Sequence, residues 1–243
     1  MEELKTAYEH MKDLVKVSVL TLIPLVFVFL IGFIFSDTIV IFLLNFYGVD
    51  VNSIVALYPT ESLATQFKIA AYLALCFFFP FAIYRAYSFV KPAMPEVAKP
   101  LFKKYLPISI FIAFAGITFG TFVFAKFVLY YLQETSMVQI QWSISSVFNF
   151  ILFSSAVFAV GMQTMVFIPA MNRVGAMPLK LLRNPITRAT VAVVLITTAS
   201  IITPADIVST IMLATPLYGC YELGLLFSKN NKEVKEWHSD GSK

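Results

Sequence analysis

From Ile69 to Tyr84 the chain runs through IAAYLALCFFFPFAIY without a single charge, and long apolar stretches of this kind recur along it, separated by short polar ones. A backbone in lipid must satisfy its own hydrogen bonds, so unbroken apolar stretches of this length predict membrane-spanning helices. A transmembrane barrel would instead alternate apolar and polar residues. Composition agrees: 59% of the 243 residues are hydrophobic and only 13% charged, with a mean hydropathy of +0.81. Such values lie outside soluble globular chains. The expectation is an all-α integral membrane protein, a single domain over residues 1–243.

A span needs ~20 apolar residues to cross a hydrocarbon core of ~30 Å. Six stretches meet or approach this, near residues 17–36, 66–88, 105–130, 148–170, 189–202 and 207–227. The first stretch lacks a small-residue cleavage site, so it is expected to remain as a span rather than be removed as a signal peptide. Basic residues gather in loops that stay in the cytoplasm. Sixteen of the 18 Lys and Arg lie before the first span, around the second link, in the fourth link or in the tail at 229–243, and only Lys68 and Lys126 fall toward the other side. Both termini are therefore expected in the cytoplasm, with residues 229–243 as a charged tail.

The last two apolar stretches are short. Between Arg188 and Asp206 there is room for only about 14 apolar residues, and between Asp206 and Glu222 for about 15. Each rises ~22 Å, less than the ~30 Å core. Two short final helices in a concave bundle, thinning the bilayer locally, are one expectation. Flanking polar residues such as Thr187 and Ser228 completing ordinary spans are the other.

Carboxylates near a membrane need a reason. Asp206 follows Thr203-Pro204-Ala205, a helix-start pattern with Thr203 as N-cap, Pro204 at the first helical position and an acid in the first turn, so a structural role is favoured. Glu61, in Pro59-Thr60-Glu61, also meets the positive end of a helix, with Lys68 on the same face two turns later. Glu222 follows an apolar run with no capping duty, and must snorkel, find a partner or take up a proton. Gln163 is the conspicuous polar side chain in the fourth stretch, suited equally to internal packing and to docking another membrane helix. Pro24, Pro80, Pro169 and Pro216 interrupt spans, which predicts kinks. Glu9 and Asp13, four apart, would share a helix face under the membrane; on spacing alone a solvated tail is the simpler reading.

Cys76 and Cys220 lie in apolar stretches and His10 and His238 in opposite tails. No disulfide, metal site or cofactor is expected. The absence of H-E-x-x-H, G-x-S-x-G and P-loop patterns speaks against an enzyme.

Taken in order, these residues resemble the TatC family, the core receptor subunit of the twin-arginine protein translocase, and the resemblance covers nearly the whole chain. PTESLATQFKIAAYLALCFFFPFAIYRAYSFVKPAM is similar to the family's second-span block, TPADIVSTIMLATPLYGCYELG to its sixth-span block, and HMKDLVK to its amino-terminal element. Six spans, cytoplasmic termini and two short final helices are what that family has. The resemblance implies a receptor for the paired arginines of signal peptides on folded cargo, working with small single-span TatA/TatB-type subunits in an oligomeric complex of the cell membrane, without nucleic acid.

The family's arginine site uses an acid from the amino-terminal element, a second from the link between spans two and three, and a Phe at the end of span two. By resemblance these fall on Asp13, Glu96 and Phe89, with Glu9 and Pro92 beside them. Gln163 falls on a polar position associated with partner subunits. The chain departs from the pattern at Val15 and Arg85, in having Asp rather than Glu at 13, and in placing Glu96 two positions before the ungapped match, Ala98. These departures suit a divergent, archaeal-type member. The principal rival is a secondary transporter of a small solute, whose usual sign, an internal repeat with interrupted helices, is not evident.

Overall fold

A computed structural model of the chain describes residues 22–49, 53–90, 98–135, 141–173, 179–203 and 206–228, with the side chains at 82–83, 85–90, 98, 101–102 and 202 outside the description. The described residues fall into two compact units, one drawn from Met1–Ala82 with Ser143–Ser145 and the other from Ile83–Trp142 with Ser146–Lys243.

The first unit opens with α1 (Leu22–Ile34), which bends by 64° into α2 (Ser36–Tyr47). Neither Pro nor Gly stands at the bend. Ser36, buried there, donates its hydroxyl to the Phe33 carbonyl at 2.7 Å, the kind of local side-chain bond that competes with helical pairing. Helix α2 ends in a left-handed Gly48 (φ 69°), with Val49 N–H donating to the Leu44 carbonyl at 3.1 Å. This six-to-one closure needs a residue without a Cβ penalty. α2 lies in the segment between the first two stretches, 17–36 and 66–88, where no helix is expected from the sequence. Its apolar run IVIFLLNFY is too short to span, and Asp37 separated it from the first stretch.

Helix α3 (Glu61–Val90) crosses from the first unit into the second and carries Pro80 inside it. Near its start, Phe67 packs against Phe29 and Phe33 of α1, with centroids 6.0 and 4.8 Å away. Strands β1 (Ile54–Val55) and β2 (Trp142–Ser143) form a two-stranded ribbon.

In the second unit, α4 (Ala98–Thr118) passes through a π-helical turn, Phe119–Phe124, into α5 (Ala125–Thr135). Then come α6 (Ile144–Gly161), α7 (Thr164–Arg173), the short α8 (Leu179–Leu182), α9 (Pro185–Ile202) and α10 (Ile207–Phe227). Gly116 and Gly120 let α4 and the π turn lie directly on α6. A Cβ on Gly116 would sit 2.5 Å from the Phe158 carbonyl oxygen, and one on Gly120 2.5 Å from Ser155 Cα. This is the small-xxx-small contact by which lipid-embedded helices approach closely. Phe124, Val128, Phe158, Leu213 and Leu217 form the core alongside it.

Among the described residues, four helical segments are long and apolar enough to cross a membrane: Glu61–Phe81, Lys103–Thr135, Ile144–Arg173 and Ile207–Phe227. The bent pair α1–α2 would make a fifth. With 21 residues α10 rises ~31 Å and α9, with 18, ~27 Å. α10 has the bounds expected for the sixth stretch, 207–227, and with Glu222 inside it the second expectation, a span of ordinary length, describes it.

Candidate functional site

Of the residues assigned to arginine recognition, Glu9, Asp13, Pro92 and Glu96 lie outside the described residues. Phe89 has its backbone in the last turn of α3 and its side chain outside the description. Glu61, Lys68, Gln163, Asp206 and Glu222 are placed, and each has an internal partner.

Glu61 opens α3 and gathers the loop ends of the first unit. Its carboxylate accepts from Leu57 N–H at 2.5 Å, from Ser145 N–H at 3.0 Å and from the Ser143 hydroxyl. Lys68, two turns on, donates to Ser145 Oγ at 2.9 Å. Glu61 and Lys68 thus hold the same short segment, Ser143–Ser145, from one face of α3. No local signal pointed to those serines, which stand some 80 positions away.

Span four is interrupted at Met162–Gln163, where backbone bonds tighten before α7 starts. The Gln163 side chain fills the break. Its Oε1 accepts from Ser109 Oγ at 2.7 Å and its Nε2 donates to the Ser109 carbonyl at 2.9 Å. Both ends of the amide therefore engage one residue of α4. Pro169 and Pro216 lie inside continuous helices, α7 and α10.

Glu222 has found a partner. Arg188, in the first turn of α9, donates to Glu222 Oε1 through Nε at 2.8 Å and Nη2 at 2.5 Å. The pair is part-exposed, 45% for Arg188 and 26% for Glu222. Further along α10, Arg183, which precedes α9, donates through Nη2 to the Leu225 and Ser228 carbonyls at 3.2 and 3.3 Å, capping the open end of α10 with a cation. Tyr221 donates its hydroxyl to the Leu182 carbonyl at 2.8 Å. Arg173 lies 5.4 Å above the Tyr105 ring. Arg188 and Arg183 went unnoticed as partners in the sequence. The available signal was the lone acid itself, since a carboxylate inside an apolar run demands a cation on a neighbouring helix.

Asp206 is structural, but its position is corrected. Thr203 closes α9, donating its hydroxyl to the Ala199 carbonyl at 3.0 Å, while Asp206 itself is the N-cap of α10, accepting from Ser209 N–H at 2.7 Å. The motif signalled a helix start correctly but was read three residues early. Among the described residues no group of three metal-ligating side chains occurs.

Two polar links thus join the apolar helices of the second unit, Gln163 to Ser109 of α4 and Arg188 of α9 to Glu222 of α10. Residues 9–216 match the family model described as Sec-independent protein translocase protein (TatC). The chain belongs to the TatC family. It is 25% identical over 224 residues to the Sec-independent protein translocase protein TatCy of Bacillus subtilis (strain 168), covering 91% of this chain and 87% of that protein. It is 25% identical over 230 residues to the TatC protein of Carboxydothermus hydrogenoformans, covering 92% and 93%. The fold matches that of a solved structure described as the twin arginine translocase receptor TatC, with a TM-score of 0.75 at 21% identity over 90% of this chain and 97% of that one. These relatives are bacterial. As a TatC protein the chain is a multi-pass component of a protein translocase that works with other subunits, and not an enzyme.

Proposed function

We propose that the chain is the receptor subunit that binds the paired arginines of signal peptides at the cytoplasmic face of the cell membrane and, with TatA/TatB-type single-span subunits, passes folded proteins across it. The observation that carries this reading is the extent of the family match, residues 9–216, which includes Asp13, Phe89, Pro92 and Glu96. In this reading the bent pair α1–α2 is the first span and α9 the fifth, giving six, with both termini in the cytoplasm as the lysines and arginines indicate.

Guanidinium is planar, permanently charged and forked, so two adjacent arginines call for two carboxylates and a ring. Asp13 and Glu96 supply the carboxylates and Phe89 the ring, with Glu9 and Pro92 beside them in the sequence. Lysine offers no planar fork, which explains selection for arginine. Gln163 and Glu222 serve internal cohesion here, leaving apolar faces for partner helices. The extent of the family match favours this reading over the solute-transporter alternative.

The test compares signal-peptide binding and export by Glu96→Ala with those of Glu233→Ala in the charged tail. The account expects a large loss for the first and little for the second; equal effects would remove Glu96 from the site.

A further inference from the structure

Immediately before α3, the residues Val55, Leu57 and Tyr58 form an exposed apolar tip, with exposures of 37%, 67% and 71%. No charged residue occurs from Val51 to Thr60. The tip is nevertheless anchored: Leu57 N–H donates to the Glu61 carboxylate at 2.5 Å and Glu61 N–H donates to the Tyr58 carbonyl at 3.0 Å. The carboxylate that fixes it is itself held by Ser143 and Ser145. An apolar loop facing water would gain by folding its side chains inward; this one is held with them outward.

Its depth follows from the covalent chain. Tyr58 stands three residues before Glu61, where the membrane-crossing segment Glu61–Phe81 begins. The tip is therefore at the mouth of a span, where hydrocarbon gives way to headgroups. The exposed apolar surface of α3 begins right there, with Leu63 and Phe67 exposed at 50% and 47%. A tyrosine with an apolar body and a polar hydroxyl suits that boundary, as does leucine beside it, and the lack of charge removes the cost of sinking the backbone turn among headgroups.

We propose that Val55, Leu57 and Tyr58 form an interfacial anchor that inserts into the leaflet at the N-terminal end of α3, so that Glu61 and Lys68, by fixing the tip, set how deeply this end of the helix sits. The occupant of the tip is lipid, at the headgroup–acyl boundary. This goes beyond signal recognition and does not rest on it.

The test places the only tryptophan at position 58, as Tyr58→Trp with Trp142→Phe and Trp237→Phe, in the full chain reconstituted into phosphatidylcholine–phosphatidylglycerol vesicles. Expected are a blue-shifted emission, stronger quenching by lipids brominated near the glycerol than by lipids brominated at the acyl terminus, and acrylamide quenching lowered about threefold or more relative to free tryptophan amide. Adding Glu61→Gln should weaken the bromolipid quenching. Should the triple variant not fold, a nitroxide on Leu57→Cys, with Cys76 and Cys220 replaced by serine, reports the same depth through oxygen against nickel-chelate accessibility. Emission and accessibility typical of water would overturn the proposal. So would a probe protected from water but untouched by any bromolipid, which would assign the tip to a protein neighbour instead.

Discussion

Arg188 and Glu222, 34 positions apart, meet across α9 and α10 through a single carboxylate oxygen that accepts from two guanidinium nitrogens, at 2.8 and 2.5 Å. Neither charge would be tolerable alone along an apolar helix, and each removes the other's difficulty. The pair adds a charged link to two helices that also pack together, Ala199 and Leu195 of α9 lying with Leu213 and Leu217 of α10.

It follows that Arg188→Leu and Glu222→Leu should each lower thermal stability in detergent, whereas the double variant should lose less than the two single losses added together, because no lone charge is left behind. A differential-scanning measurement of all four proteins checks this. Strictly additive losses would mean that the two side chains act independently.

The contact between α4 and α6 depends on two missing methyl groups. Gly116→Ala and Gly120→Ala each place a Cβ 2.5 Å from backbone atoms of α6 and should destabilise by about 1–3 kcal/mol. Gly219 of α10 has nothing within 4 Å, so Gly219→Ala should be neutral or up to about 1 kcal/mol stabilising. Unfolding in detergent, read by helical circular dichroism, separates the two kinds of glycine.

Gln163 spends its whole amide on Ser109. Gln163→Leu should cost about 0.6–1.7 kcal/mol. Ser109→Ala should cost less, since the bond to the Ser109 carbonyl survives. If Gln163 instead served a partner subunit, Gln163→Leu would leave the stability of the isolated chain untouched and reduce co-purification of that subunit.

The apolar helices themselves were legible from the sequence, because twenty uncharged residues leave a chain in lipid few options. What escaped depended on distant partners. The sixth stretch, 207–227, has the bounds of α10, but its uncharged run was counted only to Glu222, the charge that Arg188 meets. Helix α2 was not foreseen because it is short and carries Asp37 in its first turn, whose carboxylate accepts from Gln66 Nε2 at 2.5 Å. The capping role of Asp206 was read correctly in kind but shifted in place, since Thr203 and Asp206 are both good caps and only the end of α9 decides between them. The roles of Asp13, Phe89 and Glu96 rest on resemblance to the family, because a site for a foreign peptide leaves no internal bond pattern in the sequence.

Single cysteines at positions 13, 89 and 96, in a chain with Cys76 and Cys220 replaced by serine, can be crosslinked to a twin-arginine signal peptide carrying a photoreactive group beside its arginines. The account predicts adducts at all three positions, each lost when the peptide's arginines are replaced. Adducts at only one of positions 13 and 96, or adducts indifferent to the arginines, would contradict a shared guanidinium cradle.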